Sequence, residues 1–139
     1  MEQAGQGASR GPGGPPYLSL SSLLKMTFEP TDRVLLLEIP SAERLRSLSD
    51  LVPHGAIVAM GDEAAVMDTR QECRDLPNVM IHPGGLEEIP WGATQFHHVL
   101  LETSQCSPKA LREIWRVLLP DGSLWIIAGS ETLRFQRKS

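Results

Sequence analysis

The sequence predicts an α/β fold in three layers, with a mostly parallel sheet of five strands covered by helices on both faces. Three observations carry that expectation. Five short apolar runs recur along the chain, at Val34–Leu37, Ala56–Met60, Asn78–His82, Gln95–Glu102 and Ser123–Ala128. After several of them lie segments with apolar residues at helical spacing, and strands alternating with helices give a parallel sheet. Two of the helical segments open on a capping serine, Ser41 and Ser107, and close on proline and glycine, so the punctuation agrees with the periodicity.

Taken in order, residues 1–16, MEQAGQGASRGPGGPP, are dominated by Gly, Pro and small polar types that bury too little surface to offset ordering entropy, so a flexible tail is expected. The domain is expected over residues 17–130. In Leu18–Met26, Leu20, Leu23 and Leu24 have helical spacing, which predicts a short helix on the sheet before Pro30 and Asp32 turn the chain into the first strand. Ser41 caps a helix with Leu45, Leu48 and Val52 on one face, closed by Pro53 and Gly55. The second strand leads through Gly61 and Asp62 into a helix ending near Cys73, with Ala65 and Met67 among its apolar residues.

The third strand runs into Pro83-Gly84-Gly85, and the fourth ends near Glu102. Ser107 caps a helix with Pro108 at its first position and a predicted buried stripe of Ala110, Leu111, Ile114, Trp115 and Leu118. Pro120-Asp121-Gly122 then turns into the fifth strand. Gly129 to Ser139 are too few for another strand and helix, and residues 131–139 read as a short, basic, solvated tail carrying Arg134, Arg137 and Lys138.

Composition sets the outer limits. The 139 residues fit one core, and the formal net charge of -4 disfavours general affinity for nucleic acid or an anionic membrane. Cys73 and Cys106 form no CxxC pair, so neither a disulfide framework nor a zinc knuckle is indicated, and a reducing cytoplasmic location is expected. No apolar run approaches the roughly 18–20 residues of a membrane span.

From Phe28 to Ala128 the chain resembles the class I S-adenosylmethionine-dependent methyltransferases, a Rossmann-like family. The segments carrying the likeness are TDRVLLLE, LPNVMIHPGGLEEIPW, QFHHVLLE and KALREIWRVLLPDGSLWII. The last is the most specific, a helix ending in RVL, a proline and glycine turn, then an apolar strand. The resemblance also locates the cofactor contacts, and there the chain departs from the pattern. The acidic residue and glycines of the first motif, D-x-G-x-G-x-G, fall on Leu36, Glu38, Pro40 and Ala42. The carboxylate ending the second strand falls on Gly61, with Asp62 and Glu63 just beyond; the aspartate beside the adenine falls on Gly85, and that of the fourth strand on His97.

Adenosylmethionine presents an amino-acid end that needs backbone N–H groups and a ribose that favours a bidentate carboxylate. Pro40 lacks an N–H, and Glu38 adds a charged side chain where the family has bare backbone. Each missing hydrogen-bond partner to a charged group costs about 1.5–3 kcal/mol. The sequence therefore leads to an expectation of no cofactor and of a noncatalytic protein-interaction module. The alternative is a divergent methyltransferase acting on a small molecule or protein, its adenosylmethionine held by Glu38, Ile39, Asp62 and Trp91. The missing C-terminal part of the family fold predicts a sheet truncated after the fifth strand. Leu124, Trp125, Ile126 and Ile127 would then form an open edge for self-association or a protein partner. This truncation resembles the methyltransferase-like N-terminal domain of anamorsin, whose cysteine-rich iron-sulfur segment has no counterpart here.

Other candidates point to ordinary structural roles. His97 and His98 are neighbours on a strand and face opposite sides, so they cannot chelate one metal together. Adding His82 and Cys106 gives only a loose cluster, and no metal is expected. Cys106 lacks a placed base, and Trp91 reads as a lid over the core.

Overall fold

The computed structural model describes residues 28–101, 106–128 and 131–138. Its elements are β1 (Arg33–Leu36), α1 (Ala42–Leu51), β2 (Ala56–Gly61), α2 (Glu63–Glu72), β3 (Val79–Pro83), β4 (Phe96–Leu101), α3 (Pro108–Val117), β5 (Leu118–Ala128) and β6 (Glu131–Gln136). They form one six-stranded sheet in the order β3-β2-β1-β4-β5-β6. Every pairing is parallel except β5 with β6.

Side-chain alternation sorts the core into two layers. Val34, Leu36, Ile57, Ala59, Leu100 and Ile127 point to the face where α1 and α2 bury Leu45, Leu48 and Val66. Leu35, Leu37, Val58, Val99, Leu101 and Leu124 point to the other face, against Ile114 and Val117 of α3. Each helix begins as its sequence predicts. The Ser41 hydroxyl accepts from Arg44 N at 3.2 Å, Asp62 Oδ1 from Ala65 N at 3.0 Å, and the Ser107 hydroxyl from Ala110 N at 3.1 Å.

The end of the chain departs from expectation. Glu131–Gln136, expected in a solvated tail, form β6, and β6 pairs along β5 from Ser123↔Gln136 to Ala128↔Glu131. The sheet is not truncated after the fifth strand. Leu124, Trp125, Ile126 and Ile127 are in an interior strand, paired on one side with β4 and on the other with β6, so they are not an open edge. Eleven residues are too few for a helix and strand, but an antiparallel return needs only a short connection. Leu133 and Phe135 lie opposite Ile126 and Leu124, while the Arg134 guanidinium sits 5.3 Å from the centre of the Trp125 ring and its Nε donates to Ser123 Oγ at 2.9 Å.

One helical face also differs from the prediction. Leu118 is buried as the first residue of β5, whereas Leu111 and Trp115 are 40% and 37% exposed, because α3 presents that side to an apolar groove beside β6. Met67 is exposed on α2, where Val66 makes the buried contact. Pro120-Asp121-Gly122 is a bulge within β5: the pairing steps from Phe96↔Leu118 to His98↔Ser123, and Asp121 takes a positive φ of 68°. The expected N-terminal tail and the helix over Leu18–Met26 lie outside the described residues.

Candidate functional site

The strand order reverses between β1 and β4, and in an open α/β sheet the crevice beyond the carboxyl ends of the strands at such a point is where ligands bind. The first residues beyond β1 supply this edge. Leu37 is still held, its N–H donating to Leu100 O at 3.0 Å, and the chain then bends through Glu38. Glu38 is exposed and has no ion-pair partner among the described residues. Ile39 is half-buried and Pro40 buried, so the turn directs apolar groups inward and one carboxylate outward.

The end of β2 explains one of the departures from the family pattern. A Cβ placed on Gly61 would lie 2.7 Å from Ile39 Cδ1 and 2.8 Å from Ile39 Cγ1. Ile39 thus occupies the space into which a side chain at 61 would grow, and glycine there is the consequence. The next residue, Asp62, is exposed but commits Oδ1 to the α2 cap, leaving its other oxygen facing solvent. Glu38, Ile39 and the Gly61-Asp62 corner therefore come together at the ends of two adjacent parallel strands. A Cβ at Gly85, in the loop after β3, would meet nothing within 4 Å.

Trp91 does not join them. Its ring packs edge-on against His82 and Phe96, with centroids 5.4 and 5.9 Å away, and belongs to the α3-side core layer. Its carbonyl and that of Ile89 accept from Arg116 in the last turn of α3, at 2.7 and 2.9 Å. Arg116 also pairs with Glu113, whose carboxylate accepts the Ile89 N–H at 2.9 Å. The Arg116 guanidinium first and then that backbone bond lower the Glu113 pKa to about 2. This clamp on the 84–95 loop was not foreseen from sequence, because Glu113 and Arg116 read as an ordinary exposed pair on one helix.

A second polar group unforeseen from sequence lies at the entry to β1. Asp32, His98 and Trp125 are all buried. The Trp125 indole N–H can only donate, and it reaches His98 Nδ1 at 3.1 Å; the imidazole proton is then on Nε2, which donates to Asp32 Oδ2 at 2.8 Å. Burial is the largest influence on His98 and lowers its pKa, against the opposing pull of Asp32. The pieces are 66 and 27 residues apart, and only strand pairing brings them together. His97 approaches the other oxygen of the same carboxylate, its Nδ1 3.8 Å from Asp32 Oδ1, and that nitrogen accepts the Arg33 N–H at 2.9 Å.

Cys106 is half-buried beside Leu86, Glu87 and Ala110, and burial raises its thiol pKa, which favours the protonated, poorly nucleophilic form. Among the described residues no three His, Cys, Asp or Glu side chains converge as a metal site would require. No described helix is long and apolar enough to cross a membrane.

The described fold superimposes on a protein of Galdieria sulphuraria described as a sarcosine dimethylglycine methyltransferase, with TM-score 0.64 and 22% identity over 77% of this chain and 44% of that one. A SAM-dependent methyltransferase of Aquifex aeolicus gives TM-score 0.64 and 22% identity over 76% of this chain and 61% of the other. The chain has the class I methyltransferase fold. The [4+2]-cyclase SpnF shares it, with TM-score 0.60 and 23% identity over 69% of this chain and 38% of that one, so the methyltransferase fold does not by itself specify the reaction. The chain spans less than two thirds of the length of each of these structures. No protein-family profile and no curated protein matches it.

These likenesses correct one expectation. The expectation of no cofactor is at odds with a fold shared with a protein described as SAM-dependent. The departures at the turn bear on how such a ligand would be held.

Proposed function

We propose that this is a divergent S-adenosylmethionine-binding domain of methyltransferase type, with Glu38 as the carboxylate that takes the ribose hydroxyls. The observation that carries this reading is the position of Glu38, exposed at the carboxyl end of β1 where the strand order reverses, and adjacent to the Gly61-Asp62 corner of β2. A carboxylate fits that role because it accepts from two neighbouring hydroxyls at once. Ile39, filling the corner over Gly61, gives the ligand an apolar wall, and the free oxygen of Asp62 is a second acceptor.

The same turn fits the amino-acid end of the ligand poorly. Pro40 offers no N–H and Glu38 repels a carboxylate, so that end has to lie away from β1. This reading replaces the noncatalytic module as the leading one, and Trp91 drops out of the set because its neighbours are on the α3 face.

Calorimetric titration with S-adenosylmethionine and S-adenosylhomocysteine tests the reading. A saturable dissociation constant in the micromolar range is expected. Glu38→Gln should weaken it by about 10- to 100-fold, the loss of one charge-assisted interaction of about 1.5–3 kcal/mol. No heat of binding at millimolar ligand, or equal affinity in Glu38→Gln, would overturn it.

A further inference from the structure

The outer side of β6 is unpaired among the described residues. Arg137, immediately after the strand, directs both backbone groups toward β5: Asp121 N donates to Arg137 O and Arg137 N donates to Gly122 O, each at 2.8 Å. Backbone groups alternate sides along a strand, so those of Thr132, Arg134 and Gln136 point outward. Beside them Leu133 and Phe135 are 49% and 45% exposed, continuous with Leu111 and Trp115 across an apolar groove of about 500 Å³.

We propose that β6 pairs antiparallel with β6 of a second copy of this chain, around a two-fold axis at Arg134, giving one continuous sheet. The inference goes beyond the ligand-binding reading and does not depend on it. Pairing must set outward residues opposite outward residues, which restricts the register to a few choices. Centred on Arg134, all three outward residues bond, Thr132 opposite Gln136 of the second copy and Arg134 opposite itself. On the α3 face Leu133 then meets Phe135 of the second copy, and Glu131 meets Arg137. Each contact occurs twice.

Both kinds of pair are complementary. Leu133 and Phe135 are exposed, and neither Glu131 nor Arg137 has an ion-pair partner among the described residues; Arg137 Nη1 donates to Trp115 O and Leu118 O, which leaves Nη2 and Nε to meet Glu131. The like charges of the two Arg134 side chains are the unfavourable element, moderated because each is turned back over its own Trp125 and bonded to Ser123. The next register, centred on Leu133, sets Glu131 against Phe135 and leaves Gln136 opposite residue 130, so complementarity selects Arg134 as the centre.

Sedimentation velocity over a wide concentration series should show a reversible dimer. Thr132→Pro removes an outward N–H without touching the β5 ladder, and Leu133→Lys charges an exposed side chain; both should shift the protein to monomer with an unchanged circular dichroism spectrum. In a Cys106→Ser background, Arg134→Cys places two sulfurs on facing residues about 5.5 Å apart at Cα, within disulfide reach. It should cross-link faster than Leu133→Cys, whose equivalent residues are diagonal. A monomer at every concentration, dimerisation undiminished in Leu133→Lys, or faster cross-linking at 133 than at 134 would each overturn the proposal.

Discussion

Gly61 and Ile39 should behave as a coupled pair, and replacing the glycine by aspartate tests this directly. The new Cβ would lie 2.7 Å from Ile39 Cδ1, about 0.7 Å short of the 3.4 Å at which ordinary contact begins. Overpacking of this kind costs roughly 1–3 kcal/mol. Ile39 is only half-buried and the clash involves the Cγ1–Cδ1 arm of its side chain, which can rotate, so the lower end applies and Gly61→Asp should cost about 1 kcal/mol. Ile39→Ala alone, losing part of the contact with the α1-side core layer, should also cost about 1 kcal/mol. In the double variant the clash is gone, so the pair should cost about 1 kcal/mol less than the sum of the singles. Urea unfolding of the four proteins measures this. With slopes of about 1–3 kcal/mol per molar for small proteins, the coupling is a midpoint difference of roughly 0.3–1 M. Strict additivity would show that Ile39 does not occupy the corner over Gly61.

Four other outcomes follow from single contacts. Gly55→Ala should be far more costly than Gly61→Asp, about 3 kcal/mol or more, because its Cβ would fall 1.9 Å from Asp32 O and backbone cannot swing aside as a side chain can; thermal melting in parallel gives the ranking. His98 is held neutral, with its folded pKa below the unfolded value of about 6.5, so the unfolded chain binds the extra proton first. Stability should therefore be level in this respect above pH 6.5 and fall as pH drops below it, until the folded pKa is passed. His98→Gln should remove that component from a series of urea midpoints, and an unchanged slope would reject it. Arg116→Ala releases the carbonyls of Ile89 and Trp91 together with Glu113, and should cost about 1–2 kcal/mol while making the 84–95 loop more sensitive to limited proteolysis. Trp125→Phe removes the indole donor to His98 Nδ1, and should raise the His98 pKa as read by nuclear magnetic resonance titration.

Local chemistry was the legible part. Ser41, Asp62 and Ser107 each cap a helix with their own side chain, and Leu45, Leu48, Ile114 and the apolar strand runs are buried as their spacing requires. These features depend on residues within a few positions of one another, so periodicity and capping rules suffice. The second polar site was hidden because Asp32, His98 and Trp125 belong to three separate segments. The exposure of Leu111 and Trp115 was hidden because the α3 stripe depends on what stands opposite the helix, which is a groove beside β6 rather than a closed core.

The sequence by itself determined a parallel α/β sheet, its helix starts, and the unusual glycine-free turn after β1. Tertiary structure alone decided that Ile39 fills the corner over Gly61, that Trp91 belongs to the sheet face, and that β6 covers β5. The reason is distance along the chain: capping and burial patterns act between near neighbours, whereas which surfaces meet is settled only when strands far apart in sequence share hydrogen bonds.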